Sequence, residues 1–219
     1  MQNNPHILFD LDGTLGNTLP LCIAAFREAI EPLLEQSLSD EMIIETFGPS
    51  EEGTIRALVP QHYETGVERY LASYARLHKD YPSPFPGMPG ILHDLKAHHC
   101  FVGLVTGKGK KSTDVTLDFY GLSGFFDTVK TGSEWGPVKK ERIEEVIAET
   151  RVPRDRFLYV GDSPGDIIAC RECGIKIAAA AWAETSDHRV LSSHNPDYLF
   201  RSVFDFAEFV QNLYGGQLL

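Results

Sequence analysis

Two aspartates near the start of the chain, Asp10 and Asp12, are the residues best suited to chemistry. They follow the apolar run 7–9, which is typical of a buried strand in a parallel sheet, and they precede Gly13, which permits a tight turn. Ligands of open α/β sheets bind at the carboxyl ends of strands, where this pair falls. Two acidic groups this close repel each other, so an ionised pair needs a cation or hydrogen-bond donors nearby.

Attack on phosphorus is the chemistry that suits this pair. A free aspartate has a pKa of about 3.9, so Asp10 is ionised at neutral pH and needs no base to act as a nucleophile. Asp12 can protonate the leaving oxygen and later deprotonate a water molecule. A divalent metal would neutralise both the pair and an incoming phosphate. Because an Asp-x-Asp-Gly stretch is also common as a surface turn, positions further along the chain must choose between the two interpretations.

Polar residues end two more predicted strands. Thr106 and Gly107 follow an apolar strand, and a hydroxyl followed by glycine amides can bind phosphate oxygens. Asp162 leaves another apolar strand, and Asp166 comes four residues later. The carboxyl ends of parallel strands share one edge of a sheet, so we expect these side chains to face Asp10.

A lysine pair, Lys139 and Lys140, stands at the start of a predicted helix over residues 139–150. A lysine at a helix N-terminus opposes the helix dipole, which makes it a candidate for binding phosphate, although a solvated lysine is the plain alternative. Lys139 is favoured over Lys140, because Ile143, Val146 and Ile147 then lie on the inward face relative to it.

The elements that must position these residues fall into two groups. Residues 17–81 contain only helical patterns, the first helix being capped by Thr18, and a proline- and glycine-rich linker over residues 81–90 follows. Beyond it, strands and helices alternate, which predicts an α/β fold with a doubly wound parallel sheet. We therefore predict a Rossmann-like core from residues 1–16 and 82–219, interrupted by an all-α domain at residues 17–81. The predicted strands are 7–9, 100–105, 126–129, 156–160, 175–180 and 198–200, and the predicted helices include 40–47, 61–81, 91–99, 110–120, 167–173 and 203–213.

Composition limits the classes of partner. The formal net charge of −11 argues against nucleic acid and against anionic membranes, but a metal and a few lysines can still attract an anionic metabolite. The longest apolar run, residues 177–183, is too short to cross a bilayer, and the first strand begins too early to leave room for a signal peptide. We expect a cytoplasmic protein, monomeric or homodimeric, that binds a small phosphorylated metabolite.

Taken together, the motifs resemble those of the haloacid dehalogenase superfamily. The order Asp-x-Asp-Gly-Thr-Leu, strand-Thr, lysine and Gly-Asp-Ser-x-x-x-Asp is similar to that superfamily's motif order, and the helical insertion resembles its small α-helical cap. Residues 85–88 and 195–198 resemble the phosphoglycolate phosphatase-like branch. The resemblance covers essentially the whole chain. It departs from the usual pattern at Asn17, at Gly107 and in the absence of a Lys-Pro-x-Pro motif.

The resemblance implies a role for each matching position. Asp10 would be the nucleophile that forms an aspartyl-phosphate, and Asp12 the general acid and base. A leaving alkoxide needs a proton, whereas a leaving halide does not, so Asp12 favours phosphate ester chemistry over dehalogenation. The implied Mg²⁺ ligands are Asp10, the backbone carbonyl of Asp12 and Asp162, with Asp166 in support, and the implied phosphoryl-binding groups are Thr106, Gly107 and Lys139.

The predicted cap should close over the site and choose the substrate. Its loop over residues 48–53 places Ser50 and Glu51 as possible substrate contacts, although an ordinary helix connection with a capping serine explains the same residues. We therefore predict a Mg²⁺-dependent phosphatase for a small phosphate monoester, either phosphoglycolate-like or a sugar phosphate. The alternatives are a sugar-phosphate mutase similar to β-phosphoglucomutase and a catalytically idle binding scaffold.

Overall fold

Six parallel strands form one sheet in a computed structural model, which describes residues 4–81 and 83–213. The strands are β1 (His6–Phe9), β2 (Phe101–Val105), β3 (Thr128–Lys130), β4 (Phe157–Gly161), β5 (Lys176–Ala180) and β6 (Tyr198–Phe200). Their order across the sheet is β3-β2-β1-β4-β5-β6, so the carboxyl ends of β2, β1 and β4 are neighbours.

Helices cover both faces of this sheet. Successive side chains of a strand point to opposite faces, so Ile7 and Phe9 belong to one buried cluster and Leu8 to the other. The helices are α1 (Leu19–Leu34), α2 (Asp40–Ile44), α3 (Glu51–Leu58), α4 (Tyr63–Leu77), α5 (Met88–Ala97), α6 (Lys110–Tyr120), α7 (Lys139–Thr150), α8 (Pro164–Cys173), α9 (His188–Ser193) and α10 (Val203–Leu213). Helices α5, α6 and α10 pack on the first cluster, and α7, α8 and α9 pack on the second. The predicted doubly wound α/β fold is confirmed.

Helices α1 to α4 bury a third cluster of their own, which includes Phe26, Ile43 and Tyr70. This helical segment contacts the sheet-bearing part through α4 and α6, where the Tyr74 hydroxyl lies 2.7 Å from Thr116 Oγ1. No strand occurs between β1 and β2 among the described residues. The segment therefore follows β1 directly and stands beside the carboxyl edge of the sheet.

Several element boundaries differ from the predicted ones. Helix α8 begins at Pro164 and not at residue 167, because Ser163 and Asp166 form a capping box that makes the proline a first-turn residue. Strand β3 lies over Thr128–Lys130, so it begins two residues later and ends one residue later than the predicted strand 126–129. Helix α9 was not predicted; it is short, and Asp187 caps it by accepting from two backbone amides.

The predicted core begins at residue 1, resumes at Pro82 and ends at residue 219. These three positions lie outside the described residues. Among the described residues, no helix has both the length and the apolar run that crossing a membrane would require.

Candidate active site

Asp10 is the first residue after β1, and the sheet fixes its backbone. Its amide donates to the carbonyl of Val160 on β4 at 2.8 Å. Its Oδ1 accepts from the Leu11 amide at 2.7 Å, and its Oδ2 accepts from Lys139 Nζ at 2.6 Å. Burial raises the pKa of Asp10 to about 6, and the Lys139 ammonium works against that rise. The carboxylate is thus buried and held by donors on both oxygens.

Lys139 reaches Asp10 from the start of α7. Its Nζ also donates to Asp166, and little of its side chain is exposed. Burial alone would lower the pKa of Lys139, but the two carboxylates outweigh burial and raise it, so the lysine is charged. Lys140 points elsewhere and forms a half-exposed ion pair with Glu172 at 3.0 Å. Of the two candidate lysines, Lys139 is the one that contacts Asp10.

Three carboxylates gather at this point. Asp10, Asp162 and Asp166 each offer an oxygen, and these oxygens lie within 4.8 Å of one another. Burial raises the pKa of Asp162 well above its ordinary value, and the charges of Asp10 and Asp166 add to that rise. Hard carboxylate oxygens are the donors that Mg²⁺ prefers, and a dication would relieve their mutual repulsion.

Gly13 leaves room for this cluster. Its φ of +72° is in the left-handed region, and a Cβ placed on it would lie 1.9 Å from Oδ2 of Asp162. Asp166 is fully buried, and its Oδ2 accepts from the Ser163 amide at 3.0 Å and from the Ser163 hydroxyl at 2.8 Å. The donor set, its arrangement and the space beside it therefore fit a divalent cation.

Asp12 is more exposed than Asp10 and has different partners. Its Oδ1 accepts from the hydroxyl of Thr18 and lies 3.4 Å from Lys108 Nζ. Thr18 was predicted to cap α1, but its side chain makes no capping hydrogen bond and donates to Asp12. That part of the prediction was wrong: the backbone of Thr18 is in the right-handed helical region (φ −96°, ψ −6°), whereas a capping residue is typically extended when its side chain accepts from the first-turn amides.

Thr106 and Gly107 follow β2, beside Asp10. Thr106 is buried, and its hydroxyl oxygen accepts from the Lys108 amide at 3.2 Å. The hydroxyl therefore keeps its own proton for a further acceptor. Both residues line the same cavity as Asp10 and Lys139.

This cavity has a volume of about 610 Å³, which is ample for a small metabolite. One end contains the aspartates, Thr106 and Lys139, and much of the remaining wall is apolar. The apolar side chains of the wall include Leu19, Phe26, Phe47, Val138 and Ile168.

Of the two predicted cap contacts, Glu51 and Ser50, one lines the cavity and the other does not. Glu51 lines the cavity, but its carboxylate is held by Lys108 Nζ at 2.9 Å and by the Gly109 amide at 2.6 Å. Ser50 is buried and is not among the residues of the cavity wall. Its hydroxyl donates to Glu52 at 2.7 Å, and its amide donates to the Ser133 carbonyl at 2.8 Å.

Lys108 and Thr18 are the site residues that the sequence prediction missed. Both contact Asp12. The available signal for Lys108 was its position two residues after Thr106, at the same strand end; Thr18 offered only its place in the loop that follows Gly13.

Comparison with known proteins agrees with this geometry. The sequence model of the haloacid dehalogenase-like hydrolase family matches residues 7–180, which run from β1 through β5. The chain belongs to that family. The predicted family and the predicted enzyme class, a phosphatase, are thereby confirmed.

Similar proteins are known within this hydrolase family. A pyrophosphatase named PpaX, from Halalkalibacterium halodurans, is 28% identical over 206 residues, which cover 93% of this chain and 95% of that protein. A predicted phosphoglycolate phosphatase from Haemophilus somnus has a TM-score of 0.74 at 20% identity, covering 97% of this chain and 99% of that one. CbbY from Rhodobacter sphaeroides, in complex with xylulose-1,5-bisphosphate, has a TM-score of 0.78 at 18% identity, covering 91% and 94%. The phosphatase structure from Haemophilus somnus and the CbbY structure both share the fold of this chain.

Proposed function

We propose that this hydrolase cleaves small phosphate monoesters in a Mg²⁺-dependent reaction that passes through an aspartyl-phosphate on Asp10. One observation carries the proposal. Asp10 is a buried carboxylate at the polar end of a metabolite-sized cavity, with an ammonium group at 2.6 Å and two further carboxylates within 4.8 Å. That arrangement combines a nucleophile, a phosphate-binding cation and a metal-binding cluster at one point.

The reaction proceeds in two transfers. A carboxylate oxygen of Asp10 forms a bond to phosphorus while the bond from phosphorus to the ester oxygen breaks, and Asp12 gives a proton to the leaving alkoxide. Asp12 then takes a proton from a water molecule, which attacks the phosphorus of the aspartyl-phosphate. The bond between phosphorus and Asp10 breaks, inorganic phosphate leaves, and both aspartates return to their initial state.

The remaining site residues hold the transferring group. Lys139, the Thr106 hydroxyl and the Gly107 amide bind phosphoryl oxygens. Asp10, Asp162 and the backbone carbonyl of Asp12 would hold Mg²⁺, with Asp166 in support. When bound, the ion supplies positive charge that neutralises the phosphoryl oxygens.

We also propose that residues 17–81 form a cap domain on a core of residues 1–16 and 82–219. Phe26, Phe47 and Glu51 of that segment line the same cavity as Asp10. A cover of this kind excludes water and restricts which leaving groups enter.

Release of phosphate from a panel of compounds tests the proposal. The panel contains 2-phosphoglycolate, sugar phosphates, nucleoside monophosphates and pyrophosphate, each assayed with Mg²⁺ and with EDTA. We expect release from at least one monoester only with the metal, and we expect Asp10→Asn to keep its circular dichroism spectrum while losing turnover by about 10³-fold or more.

Other outcomes would contradict the proposal. Substantial activity of the Asp10→Asn variant would exclude a covalent intermediate on that residue. Sugar-phosphate isomerisation without free phosphate would identify a mutase. Preference for pyrophosphate over every monoester would replace the substrate class.

A further inference from the structure

The positive charges of the cavity are already paired. Among the residues that the structure describes, its wall contains three lysines and seven carboxylates. Lys139 pairs with Asp10 and Asp166 at the polar end, and Lys140 pairs with Glu172. Lys108 is the lysine nearest to Asp12, the group that protonates the leaving oxygen in the proposed reaction, so its availability bears on what the leaving group can be.

Among the described residues, the ammonium group of Lys108 has as many polar neighbours as it has N–H bonds. An ammonium group has three N–H bonds, and its neighbours at hydrogen-bonding or ion-pair distance are also three: Glu51 Oε1 at 2.9 Å, Cys22 Sγ at 3.2 Å and Asp12 Oδ1 at 3.4 Å. Its Nζ also lies 4.5 Å from the centre of the Tyr74 ring, and only 1% of its side chain is exposed. A second anion on the substrate would have to displace one of these partners.

Glu51 is the partner that neutralises Lys108 most directly. Burial alone would raise the pKa of Glu51, but the Lys108 ammonium and the backbone amides of Gly109 and Glu51 together outweigh burial and hold the pKa below its usual value, so the carboxylate is charged. Its second oxygen accepts from the Gly109 amide at 2.6 Å, and the Ser112 hydroxyl donates to its first oxygen at 2.7 Å. These two hydrogen bonds hold the carboxylate of Glu51, which belongs to α3 of the helical segment, next to the ammonium group of Lys108.

The surroundings of this ion pair are negative or apolar. Asp12 and Glu51 together place two carboxylates against the single ammonium of Lys108. The wall of the same cavity also contains the apolar side chains of Leu19, Phe26 and Phe47. A carboxylate or a second phosphate on the substrate would meet net negative charge and apolar carbon there, whereas a neutral group would meet neither penalty.

We propose that the substrates of this enzyme are phosphate monoesters whose leaving alcohol is uncharged and partly apolar, and that the Glu51–Lys108 ion pair rejects esters carrying a second anionic group. This inference rests on the proposed phosphatase function and narrows its substrate class. The ion pair selects against 2-phosphoglycolate, against sugar bisphosphates and against pyrophosphate, whose leaving group is itself a phosphate.

Matched substrate pairs test the inference. Each pair differs by an anionic group: 2-hydroxyethyl phosphate against 2-phosphoglycolate, glycerol 1-phosphate against 3-phosphoglycerate, and fructose 1-phosphate against fructose 1,6-bisphosphate. We expect the neutral member of each pair to have the higher kcat/KM by about tenfold or more. The ratio should persist in 0.5 M KCl, because salt screens the long-range effect of the net charge much more than it screens a buried pair.

The variant Glu51→Gln frees Lys108 and should lower that ratio by about tenfold, mainly by improving KM for the anionic members. Glu52→Gln is the matched control, since it makes the same charge change at the next position of α3 and its residue is not part of the cavity wall. Its ratio should equal that of the unmodified enzyme. The double variant Glu51→Gln with Lys108→Met, which removes both charges, tests whether Lys108 is what admits the anion.

Three results would overturn the inference: preference of the unmodified enzyme for the anionic members, a ratio that Glu51→Gln leaves unchanged, or equal ratios for the single and double variants. If Glu51→Gln does not fold, the ratios of the unmodified enzyme decide alone. Failure of the phosphatase function itself is a different result, namely no phosphate release from either member of any pair.

Discussion

At the scale of single residues, the two aspartates of the first motif have different surroundings that suit different roles. Asp10 is buried, and donors hold both of its oxygens. Asp12 has about a third of its side chain exposed and is oriented by Thr18 and Lys108. A nucleophile profits from a fixed position, and a proton carrier must reach both the leaving group and water. The hydroxyl of Thr18 is therefore a candidate positioning group.

Thr18→Val tests that role. Valine has nearly the same shape, so the fully buried site should stay packed while Asp12 loses its hydroxyl donor. We expect kcat to fall by about tenfold with little change in KM, because the substrate still binds but the proton carrier is less well oriented. Steady-state kinetics on the best ester measure both quantities.

Thr18→Ser is the control for this prediction. Serine retains the hydroxyl, so kcat should recover to within about threefold of the unmodified enzyme. Equal kcat values for Thr18→Val and the unmodified enzyme would show that the hydrogen bond to Asp12 has no catalytic consequence.

The sequence was sufficient to predict the position of residues that directly follow a strand, although their roles stay predictions. Asp10, Thr106 and Asp162 sit at the ends of three neighbouring parallel strands, so strand patterns alone bring them to one edge. Lys108 and Thr18 could not be predicted in this way. Their contacts to Asp12 depend on loop conformation and on the docking of α1 and α3, which no periodic pattern encodes.

At the scale of elements, the end of α4 packs against α6 around a buried histidine. His78 stacks on Phe119 with ring centres 4.6 Å apart, and its Nε2 lies 3.2 Å from Thr116 Oγ1. Burial lowers its pKa from the ordinary value of 6.5; nearby Lys108 also lowers it, and Asp12 acts in the opposite direction. The folded protein therefore resists protonation of this ring.

This predicts an acid sensitivity with a definite sign. As pH falls below about 6.5, the unfolded chain protonates His78 before the folded chain does, so the free energy of unfolding decreases. The loss is at most about 1.4 kcal/mol per pH unit for one group, and it is absent at pH 8, where the ring is neutral in both states. Urea unfolding at pH 8, 7, 6 and 5 measures it.

Comparison of two variants isolates His78 from the other titrating groups. His78→Gln should be less stable than the unmodified protein at pH 8 but should lose less stability between pH 7 and pH 5. His62→Gln, at an exposed position, should follow the unmodified protein at every pH. Parallel curves for His78→Gln and the unmodified protein would refute the assignment.

Elements with strong periodic patterns were predicted well, and short ones were not. Helices α6 and α7 have the predicted bounds, and in α7 the buried apolar residues Ile143, Val146 and Ile147 recur at helical spacing. Strand β3 has three residues, and its position is set by pairing with β2. Helix α9 has six residues and depends on Asp187, whose side chain caps its N-terminus. Where tertiary pairing or a single cap decides an element, the sequence pattern carries too little information.

At the scale of the whole molecule, the chain combines a net charge of −11 with a cluster of three carboxylates, of which two are buried and one is half-buried. The net charge attracts cations weakly and without regard to position, whereas the cluster should bind one divalent cation specifically. Repulsion among Asp10, Asp162 and Asp166 destabilises the metal-free folded state, with Lys139 offsetting part of it. Metal binding and folding stability are therefore coupled.

Magnesium should accordingly raise the melting temperature at pH 7.5. A ligand that binds only the folded state adds RT ln(1 + [L]/Kd), which is about 2.7 kcal/mol at one hundred times Kd. For a chain of this size that free energy corresponds to a rise of about 5–11 °C in melting temperature. Differential scanning calorimetry with MgCl₂ or EDTA measures the shift, and it needs no substrate.

The variant Asp162→Asn should have two effects on the melting temperature. It should raise the melting temperature in EDTA by removing a repelling charge, and it should abolish most of the rise with Mg²⁺. Asp155→Asn, which changes the same charge at an exposed position, should keep the full rise. An equal rise in both variants would mean that the ion stabilises the protein through its net charge and not through the cluster.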